Sequence, residues 1–136
     1  MKVPFPSVSS DLAVSAHMYI CVYVNNFHYE FVKCQTLKPY MLINDVIKHY
    51  CDEASDINRN PFKHATRIDC DKVFISEEVS YDEKLLTTSR LDICEELFLS
   101  IKKELEADGF VSIAIDEINL VALNNLITFI INKIDK

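Results

Sequence analysis

The chain has 136 residues, the length of one domain that builds a core without help from metal or disulfide. Hydrophobic residues at 49% and charged residues at 26% exclude a wholly disordered chain. The formal net charge of -7, with 14 scattered Lys and Arg, argues against a nucleic-acid surface, which needs clustered cations.

No stretch approaches the roughly 20 apolar residues of a membrane span, and no charged segment followed by an apolar run opens the chain. A soluble intracellular protein, cytoplasmic or nuclear, is expected. The 5 cysteines are spread singly, without a CxxC pair, and read as reduced thiols, several of them small core residues.

Residues 1–16 carry Pro4, Pro6 and serines without periodicity, the pattern of a flexible leader, so order is expected from His17. Tyr19, Cys21 and Tyr23 then alternate with Ile20, Val22 and Val24, the period of a strand. Asn25-Asn26 supplies a bend tolerant of positive φ, and alternation resumes through Phe27, Tyr29 and Phe31. An antiparallel hairpin follows from this.

Pro39 breaks the chain next, and Ile43, Val46, Ile47, Tyr50 and Ala54 then fall on one stripe, predicting an amphipathic helix over 43–54. Asp56, Asn58, Asn60 and Pro61 mark residues 55–66 as a long polar loop. Short strands are expected at 67–70 and 73–75. Residues 80–91 read as irregular, with Leu85, Leu86, Leu91 and Ile93 available to fill gaps. Leu97, Leu99 and Ile101 alternate and predict a strand over 96–102. After Gly109, Val111, Ile113 and Ile115 predict a further strand or arm, and Asp116 or Glu117 starts a helix expected to run to Lys133. On that helix Leu120, Leu123, Ile127, Ile130 and Ile134 form a heptad-like seam. The seam either caps its own sheet or pairs with a twin to make a homodimer.

A hairpin, a helix, then three strands with an irregular turn before the last is the order of a β-grasp fold. The stretch "INDVIKHYCDEA" (residues 43–54) resembles the helix of SUMO-type ubiquitin-like domains. "RIDCDKVFISEEVSYDEKLLTTSRLDICEELFLSI" (residues 67–101) resembles their second half. The resemblance implies an α+β class: a β-grasp ubiquitin-like sheet with one packed helix over residues 17–105, plus a C-terminal helical extension over 106–136. The chain departs from the family in lacking a Gly-Gly tail after the last strand, so it is not expected to be a conjugated modifier. The family's basic peptide groove between the second strand and the helix places Val32, Lys33 and Lys48 as partner-binding residues here. Glu30, Asp45 and Asp52 make that groove mixed or acidic, which disfavours acidic-flanked peptides.

Other chemistries fare worse. His49 and Cys51 suit zinc individually, but a structural site wants about four convergent ligands, and that spacing is missing. The cysteine spacing does not fit an iron-sulfur ferredoxin. Asp108-Gly109 imitates part of a calcium loop, yet the position needing a bidentate carboxylate falls on Ile115. A single glycine excludes the common nucleotide-binding loops. The aromatic run from Tyr19 to Phe31 fits sheet-packing pairs better than a base-stacking platform. The expected function is therefore a non-enzymatic interaction module, a scaffold or adaptor for a protein partner, with no cofactor. The alternative is a small thiol-dependent enzyme or redox regulator using Cys51 or Cys94.

Overall fold

In the computed structural model the described residues are Met1, 17–44, 46–87 and 89–130. The leader reading for 2–16, and Ile134, lie outside them. The hairpin forms as its alternation requires: β1 (Met18–Asn25) and β2 (His28–Thr36) pair from Met18 opposite Cys34 to Asn25 opposite His28. The bend itself falls one residue later than expected, on Asn26-Phe27, and Asn26 takes the positive φ of 55° that asparagine tolerates.

β4 (Thr66–Asp69) and β5 (Lys72–Glu77) both lie against the same strand, β2. Between Cys34 opposite Ile68 and Phe31 opposite Phe74, residues 32–33 of β2 face residues 69–73, so the junction between β4 and β5 bulges out. β3 (Tyr50–Glu53) pairs with β4, and β7 (Val111–Ala114) runs parallel to β5. The six-stranded sheet thus has β1 at one edge and β3 and β7 at the other. β6 (Val79–Tyr81) and β8 (Ile127–Phe129) form a separate two-stranded ribbon.

Three expected elements are corrected. The helix over 43–54 is absent: one helical turn, α1 (Met41–Asn44), gives way to β3. Its intended stripe is split, with Ile43 89% and Val46 86% exposed while Ile47 is buried. Tertiary partners override the periodicity. The Asp71 carboxylate accepts from the backbone N–H groups of Lys48 and His49, and Asp52 pairs with Arg67 of β4.

The strand over 96–102 is instead α2 (Glu95–Ala107), in which Leu97, Ile101 and Leu105 are buried at helical spacing. Leu99, on the presumed strand face, is exposed. The tail helix starts where expected, capped by the Asp116 carboxylate on Asn119 N–H, but α3 (Glu117–Leu123) stops at Asn124, whose amide donates to Leu120 O at 2.8 Å. The α+β class stands. The helix and the last strand on which the ubiquitin-like resemblance leaned do not occur at those residues.

Strand alternation sends side chains to two cores. On one face Val32, Cys34, Ile68, Cys70 and Val73 pack under Leu97, Ile101 and Leu105 of α2. On the other, Phe31 and Phe74 pack with Ile115, Leu120, Val79 and Ile127 from the tail and the ribbon. Leu120 and Ile127 of the supposed seam are therefore interior, and Leu123 and Ile130 are partly buried. The seam does not lie on one helix: Leu120 packs inward from α3 and Ile127 from β8, and Ile134 lies outside the described residues.

Candidate functional site

The residues expected to bind a partner do not come together. Val32 is completely buried at the centre of the sheet, where β2 is flanked by β1 on one side and by β4 and β5 on the other. Lys33 is half-buried, its ammonium pushed below its ordinary pKa by burial, and Lys48 is exposed on the loop before β3. The second strand has no free edge to offer, which removes the groove that these three residues were expected to line.

Among the described residues β1 pairs only with β2, so one of its edges is free. Alongside it runs an open groove of about 760 Å³, with residues 18–21 of β1 forming one wall. Because successive strand residues point to opposite faces, Met18 and Ile20 meet the groove from one side of the sheet while Tyr19 and Cys21 meet it from the other. The segment between the ribbon and α2 also lines it, through Leu85, Leu86, Leu91 and Ile93, as do Phe62 and Phe98. Leu86 is 50% and Leu91 67% exposed, so this apolar wall is uncovered among the described residues.

An aromatic ladder stiffens the floor. Tyr29 stacks on Phe31 at 5.9 Å, and Tyr81 meets both edge-on, at 4.7 and 5.3 Å. Tyr19 meets Phe74 edge-on at 5.7 Å. Burial pushes the Tyr19 phenol well up and the Tyr81 phenol up to about 12, so both stay neutral. The Tyr81 hydroxyl shares a 2.5 Å hydrogen bond with Ser76 Oγ, which fixes the ring. The aromatics thus act as packing pairs, and their rigidity gives the groove a preformed shape.

The rim is acidic: Asp82, Glu83, Asp92 and Glu95 all border the groove. Asp92 pairs with Arg90 at 2.9 Å, whereas Glu83 and Glu95 have no ion-pair partner among the described residues. At one end Met1, which also lines the groove, exchanges two backbone hydrogen bonds with His17 just before β1, at 2.8 and 3.0 Å.

In the sequence alone Leu85, Leu86, Leu91 and Ile93 stand out only as gap fillers. The signal that marks them is a set of large apolar residues in a segment with neither strand nor helix period, which its own secondary structure cannot bury.

Of the other flagged residues, His49 lies at the bulge. His49 sits between two carboxylates, with Nδ1 3.1 Å from Asp71 Oδ1 and Nε2 2.9 Å from Asp108 Oδ2. Cys51 lies beside Cys70, and Cys94 caps the N-terminus of α2, its sulfur accepting from Leu97 N–H. No group of three or more His, Cys, Asp or Glu among the described residues is arranged to hold a metal ion. No helix among them is long and apolar enough to cross a membrane. No family model, curated protein or solved structure matches the chain.

Proposed function

We propose that the chain is a non-enzymatic protein–protein interaction module, and that the groove beside β1 receives an extended partner segment as an added strand. The ubiquitin-like resemblance supplies the mode, a peptide strand beside a sheet, but its place moves from β2 to β1. The observation that carries the reading is the conjunction of an unpaired strand edge with an uncovered apolar wall along the same groove. Backbone bonds to an edge provide affinity without sequence preference, and side chains entering pockets provide the specificity. The four wall residues of β1 span about 13 Å at the rise of a strand, enough for four residues of partner. Apolar side chains of that segment fill the groove, while Asp82, Glu83, Asp92 and Glu95 select Lys or Arg at its ends.

The test is fluorescence anisotropy with a labelled hexapeptide of alternating valine and lysine, compared with its valine–glutamate counterpart. The valine–lysine peptide is expected to bind about tenfold tighter or more, with the difference shrinking at high salt. Leu86→Asp and Leu91→Asp, both at exposed wall positions, should abolish binding with the circular dichroism unchanged. Equal binding of the two peptides, or binding that survives both substitutions, overturns the proposal. So does self-association, seen by light scattering, that Leu91→Asp abolishes, because the occupant would then be a second copy.

A further inference from the structure

Two thiols meet at the bulge, away from the groove. In the β3–β4 ladder Cys51 stands opposite Ile68. Pairing continues past the end of β3, because Cys70 N–H donates to His49 O at 2.9 Å. Cys51 and Cys70 are therefore diagonal neighbours on one face of the sheet, both packed against the same core, and the Cys70 thiol donates to Ile68 O at 3.7 Å.

The two differ in access. Cys70 is completely buried in the core under α2, while Cys51 is half-buried on an edge strand at the border of that core. Their acidities diverge in the same sense. The neighbouring Cys70 thiol holds Cys51 below the ordinary thiol pKa, against burial and the carboxylates of Glu104, Glu53 and Asp52. Cys70 itself is pushed far up. An accessible sulfur with more thiolate character beside a buried, protonated one is the arrangement of an attacking and a resolving cysteine.

We propose that Cys51 and Cys70 form a reversible intramolecular disulfide, closed by a hydroperoxide and reopened by a small-molecule thiol. Cys51 thiolate attacks one oxygen of hydrogen peroxide: an S–O bond forms, the O–O bond breaks, and the departing hydroxide takes up a proton to leave as water. Cys70 sulfur then attacks Cys51 sulfenic sulfur: the S–S bond forms, the S–O bond breaks, and the hydroxide carries off the Cys70 proton as a second water. The two thiols lose two electrons, and peroxide is reduced to two waters.

Diagonal strand neighbours have Cα atoms about 7–8 Å apart, whereas disulfides span up to about 6.8 Å, so closure draws β3 inward by about 1 Å. β3 is a four-residue edge strand whose ladder pairs with β4 alone among the described residues, so its other side is not held by a strand. A bridge closed against that displacement is readily reduced.

The experiment treats the intact chain with hydrogen peroxide, blocks remaining thiols, and maps peptides by mass spectrometry without reduction. The expected product is one intramolecular Cys51–Cys70 link, lighter by two hydrogen atoms and lost on adding glutathione. Cys70→Ser should instead accumulate a sulfenic acid at Cys51 that dimedone traps. Wild-type protein in which Cys51 proceeds to sulfinic acid unlinked, or links to Cys34 or Cys94, overturns the proposal. The wild-type map decides the question even where Cys70→Ser fails to fold.

Discussion

Arg67 is the most demanding residue in the sheet. It is a buried cation, 2% exposed, whose Nε and Nη2 each reach Asp52 at 2.7 Å, whose Nη1 donates to Met41 O at 2.8 Å, and whose guanidinium lies 3.7 Å over the Tyr50 ring. Together these contacts fasten α1 and β3 to β4. Asp52 is partly exposed and stays solvated when the pair is broken, so the loss on Arg67→Leu comes chiefly from the Met41 carbonyl left without its donor, and should be about 1–3 kcal/mol in a denaturant titration. Arg67→Lys should recover little of it, because an ammonium lacks the planar fork that matches a carboxylate. Nothing local in the sequence joins Arg67 to Asp52, since each reads as an outward-facing polar residue.

Two histidines carry the pH dependence. His28 lies between Glu77 and Glu30, and His49 between Asp71 and Asp108. The imidazole pKa is raised in each, chiefly by the hydrogen bond to Glu77 in the first and to Asp71 in the second. A raised folded-state pKa stabilises the fold fully below the unfolded value of 6.5, and that stability is lost as pH rises through the folded value. His17, lowered by burial, acts in the opposite sense. The denaturation midpoint of the wild type should therefore fall more steeply between about pH 6 and about pH 8 than that of a His28→Asn, His49→Asn double variant. Parallel profiles would remove both clamps from the account.

At the scale of elements, what is local in the sequence is what it made legible. The hairpin, β4, β5, β7, the polar loop before β4 and the Asp116 cap all follow from nearest neighbours and turn chemistry. α2 shows why the rest failed. Leu97 and Ile101 satisfy a strand period and a helix period alike, and only Leu105, one turn further on, separates the two. The 43–54 stretch fails for the reverse reason: its stripe is helical, but Asp71 and Arg67 offer its backbone and side chains better partners in β3. The two readings of α2 make different predictions. Ile101→Ala should cost about 2–5 kcal/mol and Leu99→Ala less than about 0.5 kcal/mol, where a strand face would make them comparable.

At the scale of the molecule, one sheet separates two cores, and α2 and the tail cover opposite faces. The heptad-like seam was misread because its period continues across Asn124, where the chain leaves α3 for β8. Ile127→Ala should accordingly lower stability by about 2–4 kcal/mol and leave the mass by light scattering unchanged. The groove is the least legible feature, since its walls come from β1, the 82–95 segment and the start of α2, and only the assembled topology leaves one edge of β1 free among the described residues. On the proposed reading a ligand there hydrogen-bonds to that edge.

Amide hydrogen exchange, with and without the valine–lysine hexapeptide, reads that bond directly. The account predicts that outward-facing amides within residues 18–21 slow about tenfold or more while β3 and β7 exchange as before. Protection at β3 or β7, or a bound peptide that leaves β1 unchanged, would contradict it.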